Sequence, residues 1–260
     1  MRPVIALLTD FGTGDHYAGT MKGVILGICP DATLVDITHD IPPHDVTAGA
    51  LELAASYKYF PAGTIFVAVV DPGVGSARRG LAADTGDYRF VAPDNGVLTL
   101  VLRESPAKKI VELTERRYAR PTVSRTFEGR DRFAPAAAWL AKGTQLPALG
   151  RPVSDFQKVD VPVPDAGADA VTGVVVRVDR FGNLVTNIDR KSVERLGQGI
   201  SIDAAGHRVE RLVATYAELP ADGVGALFGS TDTLELAAPS TSAANRLGLG
   251  RGATVTVTRA

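Results

Sequence analysis

The sequence predicts an α/β fold in two parts. An N-terminal α/β layered domain with a largely parallel sheet, residues 1–160, precedes a smaller C-terminal all-β barrel domain, residues 161–260. Three observations predict it. In the first half, short apolar runs alternate with segments of helical spacing, the mark of an α/β layer. From Val171 onward only short strand signals recur, punctuated by glycines, as in a small barrel or sandwich. Between them, residues 143–170 carry Pro147, Pro152, Pro162 and Pro164 with little periodicity and read as a surface linker.

The elements follow in order. Pro3–Thr9 is a short apolar run ending at Asp10, the pattern of a buried parallel strand. Asp10–Asp15 is a polar loop with two glycines. Tyr17, Met21, Val24, Ile25 and Ile28 then repeat at helical spacing until Pro30, with Asp15 as the expected cap. Thr33–Ile37 is a second strand. Asp45 is placed to cap a helix carrying Leu51, Leu53 and Ala54. Thr64–Val70 is the clearest strand of the chain, and Leu81–Ala83 with Arg89–Ala92 form a hairpin pair around Thr85-Gly86-Asp87. Asn95–Arg103 and Asp131–Lys142 read as helices, the latter capped by Asp131, with Pro135 in its early turn. In the second half, Val171–Val178, Leu184–Ile188, His207–Leu212, Gly225–Phe228, Leu234–Ala237 and Ala253–Thr258 are strands, and Ser242–Leu247 is one short helix.

Composition narrows the function. The chain has 260 residues, 45% hydrophobic and 22% charged, close to the globular average, so it can bury a core. Lys+Arg 28 against Asp+Glu 29 gives a net charge of −1, without the basic excess of a nucleic-acid binder. The single cysteine, Cys29, forms no internal disulfide and fits a reducing compartment. No signal peptide and no run of membrane-spanning length is visible, so a cytoplasmic protein is expected.

Several residues are set to carry chemistry. Asp10 stands at a strand end before a glycine loop, where open α/β sheets bind ligands; a helix cap is the alternative. Asp71-Pro-Gly-Val-Gly-Ser-Ala-Arg78 follows the clearest strand, with Arg78 near enough to fold back on Asp71, either as a functional pair or as a structural one in a turn. Glu128 and Arg130 lack a helical-face explanation and read as site residues or as a solvated ion-pair cluster. In Asp179-Arg-Phe-Gly-Asn183, Phe181 can stack on a flat base and Asn183 can read its polar edge; a plain strand turn is the alternative. His39, Asp40, His44 and Asp45 are too loosely spaced to argue strongly for a metal. Trp139 is expected in the core.

Six motifs then appear in order: Thr9-Asp-Phe-Gly12, Asp71-Pro-Gly-Val-Gly-Ser76, Ala92-Pro-Asp-Asn-Gly96, Thr126-Phe-Glu-Gly-Arg-Asp131, Asp179-Arg-Phe-Gly-Asn183 and Leu234-Glu-Leu-Ala237. Together, over nearly the whole chain, they resemble the S-adenosyl-L-methionine (SAM) hydroxide adenosyltransferases, the adenosine-forming SAM hydrolases related to fluorinase and chlorinase. The resemblance implies hydrolysis of SAM to adenosine and L-methionine, without metal or cofactor, in a homotrimer whose ligand lies between neighbouring subunits. It implies that Asp10 binds the ribose hydroxyls and that Asp71 and Arg78 belong to a catalytic Asp–Arg–His set. It also implies that Asp179 and Asn183 contact the methionine amine and adenine, that Ser230 lies near the methionine carboxylate, and that Phe127 and Phe181 line the adenosyl pocket. Asp71, in place of the halogenases' residue, implies water as nucleophile. Two positions depart from the family pattern: Glu128 stands where histidine is usual, and Asp232 where glycine is usual. The expected function is therefore SAM hydrolysis with Asp71, Arg78 and Glu128 as the catalytic group. The alternatives are a non-catalytic SAM or adenosine sensor and, last, a metal-dependent nucleotide hydrolase.

Overall fold

Val4–Thr9 forms β1, buried from Ile5 to Thr9 as its unbroken apolar run requires of a central parallel strand. The computed structural model describes residues 2–209 and 211–259, and the chain divides after Asp160 into two compact units. In the first unit the order continues with α1 (Tyr17–Ile28), β2 (Thr33–Thr38), α2 (Val46–Ser56), β3 (Ile65–Val69), β4 (Gly80–Asp84) and β5 (Arg89–Pro93). α3 (Thr99–Glu104), β6 (Lys109–Leu113), α4 (Ala134–Ala141) and β7 (Gly150–Pro152) complete it.

The first sheet has the order β2-β1-β3-β5-β4-β6-β7. β1 pairs in parallel with β2 and β3, and β3 with β5. β4 runs antiparallel between β5 and β6, and β7 lies antiparallel on β6. Five of the seven strands thus point the same way, so the sheet is mostly parallel. Ile5 and Leu7 join Met21 and Ile25 of α1 and Ala136–Ala138 of α4 in one core, while Ala6 and Leu8, on the opposite face of β1, are equally inaccessible. Both faces of the strand are therefore covered.

Four expectations for this unit are corrected. The helix expected over Asn95–Arg103 begins only at Thr99, because Asn95 makes a turn instead: its Nδ2 donates to Val70 O at 2.8 Å and its Oδ1 accepts from Val97 N at 3.2 Å. The helix expected from Asp131 begins at Ala134, after a single π-type turn over Gly129–Phe133, and Asp131 points inward rather than capping it. Part of the expected linker is structured, since Gly150–Pro152 adds a strand to β6, itself unforeseen. Nor does Asp15 cap α1: His16 occupies that position, with no side-chain hydrogen bond. Asp45 does cap α2, its Oδ1 accepting from Ala48 N at 2.9 Å.

The second unit contains β8 (Asp165–Ala166), β9 (Ala170–Val178), β10 (Leu184–Asp189), α5 (Arg190–Glu194), β11 (Ile200–Ala204) and β12 (His207–Val209). β13 (Gly225–Phe228), β14 (Thr233–Ala237), α6 (Ala243–Leu247) and β15 (Thr254–Arg259) follow. Its sheet runs β12-β11-β15-β9-β10-β14-β13, antiparallel throughout, with β8 on β9. Arg211–Val213 lies along β13, with Ala226 N donating to Arg211 O at 2.9 Å and Val213 N to Ala226 O at 2.8 Å, so the sheet curls into a nearly closed barrel. Alternating residues such as Leu234, Leu236, Val255 and Val257 fill its interior. The strand expected over His207–Leu212 ends at Val209; Glu210 lies outside the described residues. α5 and β11 were not foreseen. Among the described residues, no helix is long and apolar enough to cross a membrane.

Candidate active site

Parallel pairing brings two carboxylates to one edge of the first sheet. Thr9 of β1 is in register with Val69 of β3, so Asp10 and Asp71 leave neighbouring strands just beyond their carboxyl ends. After Asp71 the chain turns tightly. Val74 N donates to Asp71 O at 3.3 Å and Ser76 N to Gly73 O at 3.1 Å. Gly75 has φ +80°, and a Cβ there would strike the Arg125 carbonyl oxygen, so glycine is required on both counts. The turn returns Arg78 to the strand end.

Arg78 forks onto Asp71. Its Nε lies 2.9 Å from Oδ1 and 3.1 Å from Oδ2, and its Nη2 also donates to Oδ2. The same Nη2 donates to Glu128 Oε2, and the guanidinium sits 5.2 Å over the Phe133 ring. The three side chains are 5%, 9% and 11% exposed for Asp71, Arg78 and Glu128, so little solvent screens them. Burial alone lowers the pKa of Arg78, but the hydrogen bond and charge of Asp71, then those of Glu128, outweigh it and hold the group above its ordinary value. Arg78 stays a cation between two carboxylates. On the other side of Glu128, Arg132 Nε lies 3.3 Å from Oε1.

Asp71 and Glu128 help wall a cavity of about 310 Å³, together with Asp10, Phe11, Tyr17, His44, Val74 and Phe127. Asp10 Oδ2 accepts from His44 N at 2.9 Å, while the carboxylate remains partly accessible. Phe127 meets Phe11 edge-on at 5.9 Å and 78°, and Tyr17 at 5.0 Å and 89°, giving the cavity a rigid aromatic wall. The structure therefore gathers Asp10, Asp71, Arg78, Phe127 and Glu128, all singled out from the sequence. Phe11 and Tyr17 escaped as pocket residues; the exposure of Tyr17 so near a glycine loop is visible only in the fold.

Two of the residues weighed as metal ligands, His39 and Asp45, have other work. His39 Nδ1 hydrogen-bonds Thr9 Oγ1 at 2.8 Å and its Nε2 meets Asp36 Oδ1 at 3.0 Å, while Asp45 caps α2. Among the described residues, no group of three or more His, Cys, Asp or Glu side chains is arranged to hold a metal ion.

The second unit has its own cavity, about 1020 Å³, lined by Arg177, Asp179, Phe181, Asn183, Tyr216, Ser230 and Glu235 among others. The β9–β10 turn builds part of it. Asp179 Oδ1 accepts from Phe181 N at 2.9 Å and Asn183 N at 2.8 Å, and Oδ2 accepts from Asn183 Nδ2 at 2.9 Å. Gly182, at φ +83°, lets the turn close, and Phe181 is left 78% exposed. Asn183 is buried. Sequence reasoning missed a second acid. Glu235, inside the recognised Leu-Glu-Leu-Ala stretch, is buried and accepts from Tyr216 Oη at 2.8 Å. Burial raises the Glu235 carboxyl; the tyrosine bond and Arg177 oppose this and Asp179 adds to it, leaving a net upward shift. Tyr216 is pushed up to about 12 by burial, then by the bond and charge of Glu235. Nothing short of the fold joins residues nineteen apart on different elements.

The sequence profile of the SAM hydroxide adenosyltransferase N-terminal domain matches residues 5–150, and that of the C-terminal domain matches residues 173–256. The chain is 38% identical to the (R)-S-adenosyl-L-methionine hydrolase of Thermus thermophilus, over 97% of this chain and 98% of that protein. It is 31% identical to a fluorinase of an Actinoplanes species, over 99% and 98% respectively. An uncharacterized conserved protein from Thermotoga maritima has a solved structure that superposes with a TM-score of 0.93 at 32% identity, over 98% of this chain and all 100% of that one. Two matched profiles in the observed order, and full-length similarity to relatives of both kinds, establish one conclusion: the chain belongs to the SAM hydroxide adenosyltransferase family.

Proposed function

We propose that this chain is a SAM hydrolase that converts SAM and water to adenosine, L-methionine and a proton. The observation that carries the reading is the buried Asp71–Arg78–Glu128 group at the wall of a cavity that also holds Asp10. In this reaction a water oxygen attacks C5′, the C5′–S bond breaks with its electron pair going to sulfur, and the water loses a proton. The sulfonium leaves as a neutral thioether, so no acid is needed and the reaction as written calls on no cofactor. What the site must supply is an oriented, proton-depleted water. Arg78 stabilises developing hydroxide character, and Asp71 orients the water and accepts its proton. Two carboxylates also disfavour a halide nucleophile, which brings negative charge and has no proton to give.

The remaining roles follow from this reading. Asp10 takes the ribose hydroxyls, Phe127 and Phe181 line the adenosyl group, Asp179 faces the methionine amine, Asn183 faces adenine, and Ser230 lies at the methionine carboxylate. Asp10 and Asp179 stand on different units, each with its own cavity, which supports a homotrimer whose sites are completed by a neighbouring copy. The near-neutral net charge supports a small-molecule enzyme rather than a nucleic-acid binder. A buried free cysteine and a substrate of intracellular metabolism support a cytoplasmic location. The test is direct: purified protein is incubated with SAM, with and without chelator, and adenosine is followed by chromatography. Chelator-insensitive adenosine formation is the expected result; SAM binding without product, or loss of turnover on chelation, overturns the reading.

A further inference from the structure

Glu128 is held from two sides. Arg78 takes Oε2, and Glu128 itself lines the cavity that contains Asp10 and Asp71. Arg132, one helical turn further along, takes Oε1 at 3.3 Å. Glu128 and Arg132 also line a second, polar cavity of about 550 Å³ with Glu112, Glu115, Arg116 and Arg125. The Glu128 carboxylate is thus a partition between two cavities, held by Arg78 at Oε2 and by Arg132 at its outer oxygen, Oε1.

We propose that Arg132 is a positioning residue for hydrolysis: it fixes the Glu128 carboxylate so that Arg78 stays shared between Glu128 and Asp71 in one geometry. The inference rests on the hydrolase reading above. The physical case is a balance of charge. Asp71 and Glu128 place two negative charges on one guanidinium, and a single Arg78 cannot neutralise both. Arg132 supplies the second positive charge from the side away from Asp71, so the four groups sum to zero. Its charge also pulls on the outer oxygen of Glu128, which keeps the carboxylate from swinging further onto the Nη2 it already shares with Asp71. Without Arg132 the carboxylate is free to turn, and the hydrogen-bond geometry around the attacking water is lost while the ribose and aromatic contacts of the cavity remain. Arg132 does not line that cavity, so its influence there runs through Glu128.

Arg132→Gln, Arg132→Lys, Glu128→Gln and the double variant Glu128→Gln/Arg132→Gln are assayed for adenosine formation from SAM, with thermal melting as a check on folding. Arg132→Gln is expected to lower kcat about tenfold with KM within about twofold, the signature of an interaction used in the transition state. Arg132→Lys is expected to recover part of the loss, because it keeps the charge without the fork. In the Glu128→Gln background, Arg132→Gln is expected to cost less than about twofold, since a residue acting through Glu128 has little left to position. A full, multiplicative loss in the double variant, or a change confined to KM, overturns the inference while leaving the hydrolase reading intact. A wild type that forms no adenosine overturns the hydrolase reading and this inference with it.

Discussion

The Arg130 guanidinium forks onto the carboxylate of its sequence neighbour Asp131, Nε to Oδ1 at 2.7 Å and Nη2 to Oδ2 at 2.8 Å. Adjacent residues do not face each other on an α-helix, and the π-type turn over Gly129–Phe133 is what allows it. Asp131 is fully inaccessible and also accepts from Ser124 N at 2.8 Å, while Arg130 stacks 5.2 Å over the Phe127 ring. One buried carboxylate thus pins both the approach to Glu128 and the aromatic wall of the cavity.

Burial pushes the Asp131 carboxyl up, but the Arg130 hydrogen bond, then Ser124 N and the charges of Arg130 and Arg120, more than reverse it and hold it below its ordinary value of 3.8. A depressed folded-state value means that the unfolded chain binds the proton more readily. The stabilisation is therefore complete above the unfolded value and is lost as pH falls through the lower, folded one. Asp131→Asn should destabilise the chain at pH 7, because it gives up the charge that holds Arg130 and Ser124 N at a buried site. It should also flatten the loss of stability below about pH 4. Urea melts at pH 7 and at a series of values below pH 4 measure both; an unchanged pH dependence would count against this role.

Asp71→Asn and Arg78→Ala should each reduce kcat by roughly 10²–10⁴ while leaving most SAM affinity, because both act on the water rather than on the adenosyl group. Single-turnover rates and equilibrium SAM binding, measured side by side, separate the effects. Loss of rate strictly in proportion to lost affinity would place both residues in binding instead.

Much of this site could be read from the sequence because its logic is local. Asp10 and Asp71 end apolar runs, and the glycines after Asp71 announce the turn that brings back Arg78. Phe127 and Glu128 were marked by a charged, aromatic stretch with no helical face. What remained hidden depends on distant pairing or on backbone detail. The Tyr216–Glu235 bond joins separate elements of the barrel, and β7 is too short, at three residues, to show a period. The π-type turn made Asp131 a buried anchor where the sequence pattern suggested an ordinary cap.

Asp10→Asn and Asp10→Ala should weaken binding of both SAM and adenosine. A carboxylate accepting from ribose hydroxyls contributes charge-assisted hydrogen bonds of about 1.5–3 kcal/mol each. The alanine variant also loses the bond from His44 N, which the asparagine variant can keep. Titration with adenosine and 2′-deoxyadenosine isolates the ribose term. The wild type should discriminate between them and Asp10→Asn much less; equal discrimination would remove Asp10 from the ribose.

A trimer with shared sites predicts complementation. Asp71→Asn and Asn183→Ala lie in different units, and each should be inactive alone. After dissociation and reassembly together, some interfaces pair an intact N-terminal unit with an intact C-terminal unit from another copy, and activity should partly return. No recovery, with subunit exchange shown by labelled chains, would assign each site to a single chain.

Glu128, which by the resemblance stands where histidine is usual, offers the sharpest test. A neutral imidazole can exchange a proton with the attacking water near pH 7. A carboxylate bonded to Arg78 and paired with Arg132 is instead suited to ordering charge, with Asp71 left to take the proton. Turnover should therefore persist in the wild type. Glu128→Gln should be slower by about tenfold, because the amide keeps the shape but gives up the charge that holds both guanidiniums. Glu128→His should match or exceed the wild type, since imidazole restores a proton acceptor beside the water while Asp71 still anchors Arg78. Adenosine formation by the three proteins, at equal SAM occupancy, decides the matter. Should the wild type bind SAM without forming adenosine while Glu128→His turns it over, the natural residue marks a SAM sensor and the catalytic role assigned to Glu128 falls.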